Sequence, residues 1–265
     1  MHRVTSRANP RLREAARLAA SSRDRRKSGL CILEGEHVVA VYAERVGPPR
    51  SLLVTDEALA RPAVRALAER LSDRTLVVPE SLFDEVATLP ADVGVLAVIE
   101  TPASHPPVQA DFCLLIEDVQ DPGNVGSMLR TAAAAGAAHV LLSKHTAFAW
   151  SPKVLRAGQG AHFCVKIHED VDLPAWASAH RAVGGEVVAA VASGGENLYG
   201  AIFRGRLAVA IGNEGSGLSP FLLAAATRHV TIPMHRGVES LNAAAAAAVM
   251  MFECVRQRSA ARYGE

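Results

Sequence analysis

With 265 residues, 49% of them hydrophobic and 21% charged, the chain has the balance of a folded globular protein and more length than most single domains need. A net charge of only +1 excludes a polycation along the whole chain. Four widely separated cysteines exclude a dense disulfide framework and any cysteine pair at metal-ligand spacing. Each reads best as a buried structural thiol.

The charge is unevenly placed. From Met1 to Lys27 there are nine Lys or Arg against Glu14 and Asp24, as in a basic arm for an anionic partner or, equally, in a solvated helix face. This stretch, "NPRLREAARLAASSRDRRKSG", reads as one capped basic helix, with Asn9 as cap and Pro10 as first helical residue. A strand follows at "LCILEG", then a helix from Glu36 to about Arg45. "SLLVTD" and "TLVVP" are strands around a helix near Ala58 to Leu71, and "VGVLAVIE" is the last strand. Residues 1–100 thus form a small α/β domain. The proline-rich "TPASHPPVQAD" has neither helical nor strand period and serves as a linker over residues 101–110.

Beyond the linker, in residues 111–265, apolar runs alternate with helical stretches. "FCLLIED", "HVLLS", "FCVKIH", "EVVAAVA", "LAVAIG" and "HVTIP" read as strands buried on both faces. Helices are expected near Val125–Ala135, Pro152–Arg156, Pro174–Arg181, Pro220–Ala226 and Asn242–Arg256. The alternation predicts a parallel sheet covered by helices, whose ligands gather at the carboxyl ends of the strands. The amino terminus lacks an apolar signal core, and the longest apolar run, Ala243 to Phe252, is too short for a membrane span. No membrane association and a reducing cytoplasmic setting are therefore expected.

Three corners carry glycines. In "DPGNVGSMLRTAAAAG" Asn124 is read as the cap of a helix on which Gly126 and Arg130 share a face, so the missing side chain at Gly126 opens space beside the arginine. By itself this is also what a capped helix with a surface arginine looks like. In "AIGNEGSGLSP" three glycines permit close backbone approach, with Glu214 as the one charged group. The spacing matches neither the dinucleotide fingerprint nor a P-loop, which argues against a nucleotide-dependent dehydrogenase. In "IPMHRGVESLNAAAAAAVMMFE" Gly237 turns the chain, Ser240 and Asn242 are both suitable caps, and six alanines open the last helix with little side chain.

Taken together, "NVGSMLR", "GNEGSGLS" and "IPM…ESLN" resemble the three motifs of the SpoU/TrmH family of SPOUT methyltransferases, in order and spacing. "PKVLRAGQGA" is similar to an intervening family segment, although Gly158 stands where serine is common, and Arg236 stands where the family has glycine. "SRANPRLREAARL" and "CILEGEHVV" resemble the L30e-like RNA-binding domain that often precedes the catalytic one. The resemblance implies an α/β fold with a parallel-sheet catalytic domain ending in a trefoil knot, and a homodimer. It implies transfer of a methyl group from S-adenosylmethionine to a ribose 2′-hydroxyl of RNA, with 23S rRNA favoured over tRNA. A non-catalytic RNA-binding or ribosome-assembly role is the rival reading.

The resemblance also distributes roles. Arg130, Asn124, Glu214, Ser240 and Asn242 would be catalytic. Ile211, Gly212, Asn213, Gly215, Ile232, Met234 and Leu241 would hold the cofactor. Arg7, Arg11, Arg25, Arg26 and Lys27 of the basic arm would meet RNA phosphates. No metal is implied, because no ligand cluster appears.

Overall fold

The computed structural model describes residues 1–88 and 93–263, with side chains described to residue 258. The chain divides into two compact units, Met1–Pro102 with Trp150–Phe163, and Ala103–Ala149 with Cys164–Glu265.

The first unit is built on a five-stranded mixed sheet. Its strands are β1 (His2–Arg3), β2 (Leu30–Glu34), β3 (Ser51–Thr55), β4 (Thr75–Val78) and β5 (Val95–Glu100), in the order β1-β4-β3-β5-β2. β1, β4 and β3 run parallel, and β5 runs antiparallel to both β3 and β2. Its helices are α1 (Pro10–Ala20), α2 (Ser22–Ser28), α3 (Glu36–Arg45), α4 (Pro62–Arg70) and α5 (Glu80–Asp84). Leu12, Ala15 and Leu18 recur at helical spacing on α1 and bury against Ile32, Leu53, Leu96 and Val98 of the sheet.

Two expectations change here. The single basic helix is two helices, because Ser21 is extended (φ −130°, ψ 112°) and caps both ends. Its N–H bonds to Arg17 O, and its hydroxyl accepts from the Asp24 N–H. The helix expected over Ala58–Leu71 is one 3₁₀ turn, Ala58–Ala60, followed by α4. Pro62 forces Arg61 into an extended conformation (ψ 124°), which breaks the helix between them.

The second unit is a seven-stranded, wholly parallel sheet. Its strands are β6 (Phe112–Ile116), β7 (His139–Leu142), β8 (Lys166–His168), β9 (Glu186–Ala190), β10 (Glu196–Asn197), β11 (Leu207–Ile211) and β12 (Arg228–Thr231), in the order β10-β12-β9-β11-β6-β7-β8. The central strands β6 and β11 are buried throughout, which explains their unbroken apolar sequence. Helices α6 (Pro122–Ala134), α8 (Leu173–Ala182), α9 (Pro220–Ala225) and α10 (Ala243–Tyr263) cover it. Trp176, Ala177 and Leu222 close over Cys113, Leu115, Ala208 and Ala210. From β6 the chain steps outward through β7 to β8, then crosses to β9, and β11 fills the gap beside β6. The order therefore reverses between β6 and β11, where parallel sheets open a crevice at their carboxyl ends.

The segment Trp150–Phe163, placed by the sequence with the second domain, packs within the first unit. It carries α7 (Pro152–Gly158). The Phe163 ring meets Tyr42 of α3 edge-on at 5.1 Å, and Gly160 (φ 86°) lies so close to Val41 that a Cβ would meet its side chain at 3.2 Å. Because Ala161–Phe163 form a 3₁₀ turn, the strand expected from Phe163 begins only at Lys166. Cys31, Cys113 and Cys254 are buried as expected, whereas Cys164 is exposed. Among the described residues no helix is long and apolar enough to cross a membrane.

Candidate active site

The three glycine-bearing corners follow β6, β11 and β12. At the first, Asp121 is the helix cap: its Oδ1 accepts the Asn124 N–H at 2.7 Å, and Pro122 opens α6. Asn124 is therefore not the cap, which corrects the sequence reading. It sits in the first turn with its side chain free to reach outward.

That side chain joins all three corners. Asn124 Nδ2 donates to Glu214 Oε1 at 2.6 Å, and Asn124 Oδ1 accepts from Asn242 Nδ2 at 3.0 Å. The amide orientations are fixed by the network itself. Asn242 Oδ1 accepts the N–H groups of Ala244 (2.9 Å) and Ala245 (3.3 Å) as the cap of α10, so its NH2 must face Asn124. Asn124 must then turn its oxygen to Asn242 and its NH2 to the carboxylate. Of the two caps the sequence offered, Asn242 is used.

The second corner is a closed loop. Asn213 and Gly217 exchange backbone hydrogen bonds of 3.1 and 2.9 Å, and Gly217 takes φ 69°. A Cβ on Gly212 would lie 2.3 Å from the Gly217 carbonyl carbon, so glycine is obligatory there. Asn213 stiffens the interior: its Nδ2 donates to Asp118 O at 2.9 Å, and its Oδ1 accepts the Gly215 N–H at 2.9 Å and the Ser216 N–H at 3.1 Å. The far end is pinned by Glu117, buried at the end of β6, which accepts the Ser219 N–H and hydroxyl, each at 2.7 Å. Sequence reasoning missed Glu117 and Ser219. The available signal was a carboxylate ending the apolar run "LLIE" with no exposed face to account for it.

Beside this network lies a cleft of about 500 Å³, within the range of about 300–1,000 Å³ typical of small-molecule sites. From the second corner Ile211, Gly212, Asn213, Glu214 and Gly215 border it. From the third, Ile232, Met234, Ser240 and Leu241 do so. A further wall, Val191 to Ser193, was missed because "EVVAAVA" reads as one strand, whereas β9 ends at Ala190. Glu239 also borders the cleft and had no assigned role. Ala243 and Ala246 leave room at the start of α10 that larger side chains would fill. Apolar walls with exposed loop backbone suit a nucleoside-bearing cofactor. Among the described residues no cluster of three or more His, Cys, Asp or Glu could hold a metal.

Arg130 stands apart. It is exposed on α6, six residues beyond Asn124, hence about 240° round the helix and about 9 Å along it. It makes no side-chain hydrogen bond or ion pair among the described residues. Gly126, one helical turn before it, is buried. In the basic arm, Arg11, Arg26 and Lys27 are exposed, and Arg7 pairs with Glu85. Arg25 departs from expectation. It is 6% exposed and donates to the backbone oxygens of Leu18 and Ala19, so its guanidinium closes the end of α1 and cannot meet phosphate. Burial lowers its pKa from the ordinary arginine value.

The chain as a whole is similar to known proteins. The model of the SpoU rRNA methylase family matches residues 111–252. The Bacillus subtilis protein named 23S rRNA (guanosine(2553)-2'-O)-methyltransferase RlmP is 30% identical, over 95% of this chain and 98% of its own. The Streptomyces viridochromogenes 23S rRNA (uridine(2479)-2'-O)-methyltransferase is 30% identical, over 98% of this chain and 94% of its own. The crystal structure of the SpoU methyltransferase AviRb from the same organism, in complex with AdoMet, superposes with a TM-score of 0.84 over 95% of this chain and 98% of that one, at 30% identity. The agreement covers both units and all three corners, and on it the chain belongs to the SpoU rRNA methylase family.

Proposed function

We propose that this protein transfers a methyl group from S-adenosylmethionine to a ribose 2′-hydroxyl of 23S rRNA. The observation that carries the reading is the Asn124 amide, which ties Glu214 and Asn242 together at the edge of the cleft. The cleft suits the cofactor: loop backbone around Gly212 and Ile232 would offer it hydrogen-bonding groups, and Leu241 would offer apolar surface. The bound cofactor supplies an electrophilic methyl on a sulfonium.

The protein's task is then to align a sugar oxygen with that methyl and take up its proton. Alignment alone contributes up to about 7–11 kcal/mol in favourable cases. Glu214 is fixed through one oxygen by Asn124, which leaves its second oxygen available to a ribose hydroxyl. Arg130, permanently charged, binds the adjoining phosphate and stabilises the developing alkoxide rather than acting as a base. Ser240 shapes the third corner beside the ribose. The protein acts as a homodimer with its active sites near the shared interface, where the exposed Arg130 of one copy is free to serve the cleft of the other. The carboxyl-terminal loops form a trefoil knot, the first unit is an L30e-like RNA-binding domain, and the setting is cytoplasmic.

The test is methyl transfer from labelled S-adenosylmethionine to deproteinised bacterial 23S rRNA, with tRNA in parallel and the product mapped for 2′-O-methyl. Label in ribose of 23S rRNA, with Arg130→Lys losing turnover at unchanged cofactor affinity, supports the reading. Label in tRNA alone, in a base, or in neither RNA overturns it.

A further inference from the structure

The basic arm is folded into a helical corner with a design of its own. On α1, Arg13 and Arg17 lie opposite the buried stripe of Leu12, Ala15 and Leu18. On α2, Arg23 and Lys27 lie about 160–200° round from the buried Arg25. Each pair is one helical turn apart and cationic at both ends, an arrangement that destabilises a helix when nothing neutralises it. Among the described residues, none of these four side chains makes a hydrogen bond or ion pair. Of the acids nearby, Glu14 is taken by Arg50 at 3.2 Å and Glu85 by Arg7, and among the described residues Asp24 in the first turn of α2 makes no ion pair with Arg23 or Lys27.

Arg25 governs how the two pairs are presented. Ser21 is the only residue between the helices, and the chain changes direction there. Arg25 reaches back from α2 to two carbonyls in the last turn of α1, where the helix dipole favours a cation. Its buried Nε has no partner, so the contact is held for its geometry at a cost in desolvation.

We propose that Arg13 with Arg17, and Arg23 with Lys27, form two phosphate grips for the RNA backbone, and that Arg25 is a positioning residue that sets the angle between them. The inference rests on the reading of the protein as an RNA enzyme and names the surface that holds the RNA. The grips would read backbone charge and not sequence, because guanidinium and ammonium contacts to phosphate carry no base information.

The experiment measures binding of the full-length protein to deproteinised bacterial 23S rRNA across a salt series. Removing both cations of one grip (Arg13→Gln with Arg17→Gln, or Arg23→Gln with Lys27→Gln) should make the log–log salt slope shallower by about 1.4–1.8. S-adenosylmethionine affinity should stay within twofold. Arg25→Met should weaken RNA binding in the wild-type background but add nothing once either grip is gone, and Arg25→Lys should restore part of the loss. A slope unchanged in both grip variants overturns the grips. A loss from Arg25→Met that simply adds to theirs, or a melting temperature that falls with RNA affinity unmoved, overturns the positioning role. Binding with the expected slope but no methyl transfer would overturn the enzymatic reading and leave the surface standing.

Discussion

Asn124 and Glu214, 90 residues apart in sequence, meet in an amide–carboxylate hydrogen bond of 2.6 Å. The bond connects the helix after β6 to the glycine loop after β11, and Asn242 extends it to the start of α10. Glu214 is exposed and Asn124 half-buried, so the bond's value lies in geometry more than in stability. Asn124→Ala should lower single-turnover methyl transfer at least tenfold with a melting temperature changed by only a few degrees. Asn124→Asp should be worse, because it sets a carboxylate against Glu214. Combining Asn124→Ala with Glu214→Ala should cost less than the sum, with a coupling of about 0.5–3 kcal/mol from rates on 23S rRNA.

Gly212→Ala tests the closed loop. The added Cβ would meet Gly217 backbone at 2.3 Å, and no rotamer can relieve a backbone contact. The loop must open, with a stability loss of about 1–3 kcal/mol by analogy with overpacked sites. Titration calorimetry should find S-adenosylmethionine affinity reduced at least tenfold. Retained affinity would mean that the loop does not shape the cofactor pocket.

Ser219 has two duties. It caps α9 through the Leu222 N–H at 3.1 Å and donates to buried Glu117 at 2.7 Å. Ser219→Ala should cost about 1–2 kcal/mol from the cap, with a further loss because Glu117 keeps only one bond to the loop. Denaturant unfolding would show it. Ser219→Thr, which keeps the hydroxyl, should recover most of the stability.

A histidine pair makes the second unit sensitive to acid. His139 Nδ1 and His168 Nε2 are 2.9 Å apart, and His168 Nδ1 is 3.1 Å from Ser104 Oγ. Burial first, then His139, pushes His168 down to about 4. Burial and Lys166 lower His139 as well. Both are therefore neutral in the fold and take up protons more readily when unfolded, where histidine titrates near about 6.5. The contribution of His168 to stability is complete above that value and is lost as pH falls towards 4, and that of His139 weakens in the same direction. The melting temperature should drop across this window, and His168→Gln should flatten the drop.

Sequence alone determined the pieces whose causes are local. Prolines at first helical positions, side-chain caps and the 2.0 and 3.6 periods placed most strands and helices, among them α3 near its observed bounds, but not the short β1, α5 and β10. The three motifs named many of the residues that border the cleft, because glycine at Gly212 and asparagine at Asn213 answer needs of their own loop. Only the tertiary structure decided which distant groups meet. The order β9-β11-β6 brings Glu214 to Asn124 and ends β9 early enough for Val191 to Ser193 to form a wall. The one-residue break at Ser21 turns Arg25 inward, and the packing of Phe163 on Tyr42 assigns Trp150–Phe163 to the first unit. Periodicity records which face of an element is apolar, whereas the partner of a polar side chain depends on strand order and helix angle, which are set by packing across the whole chain.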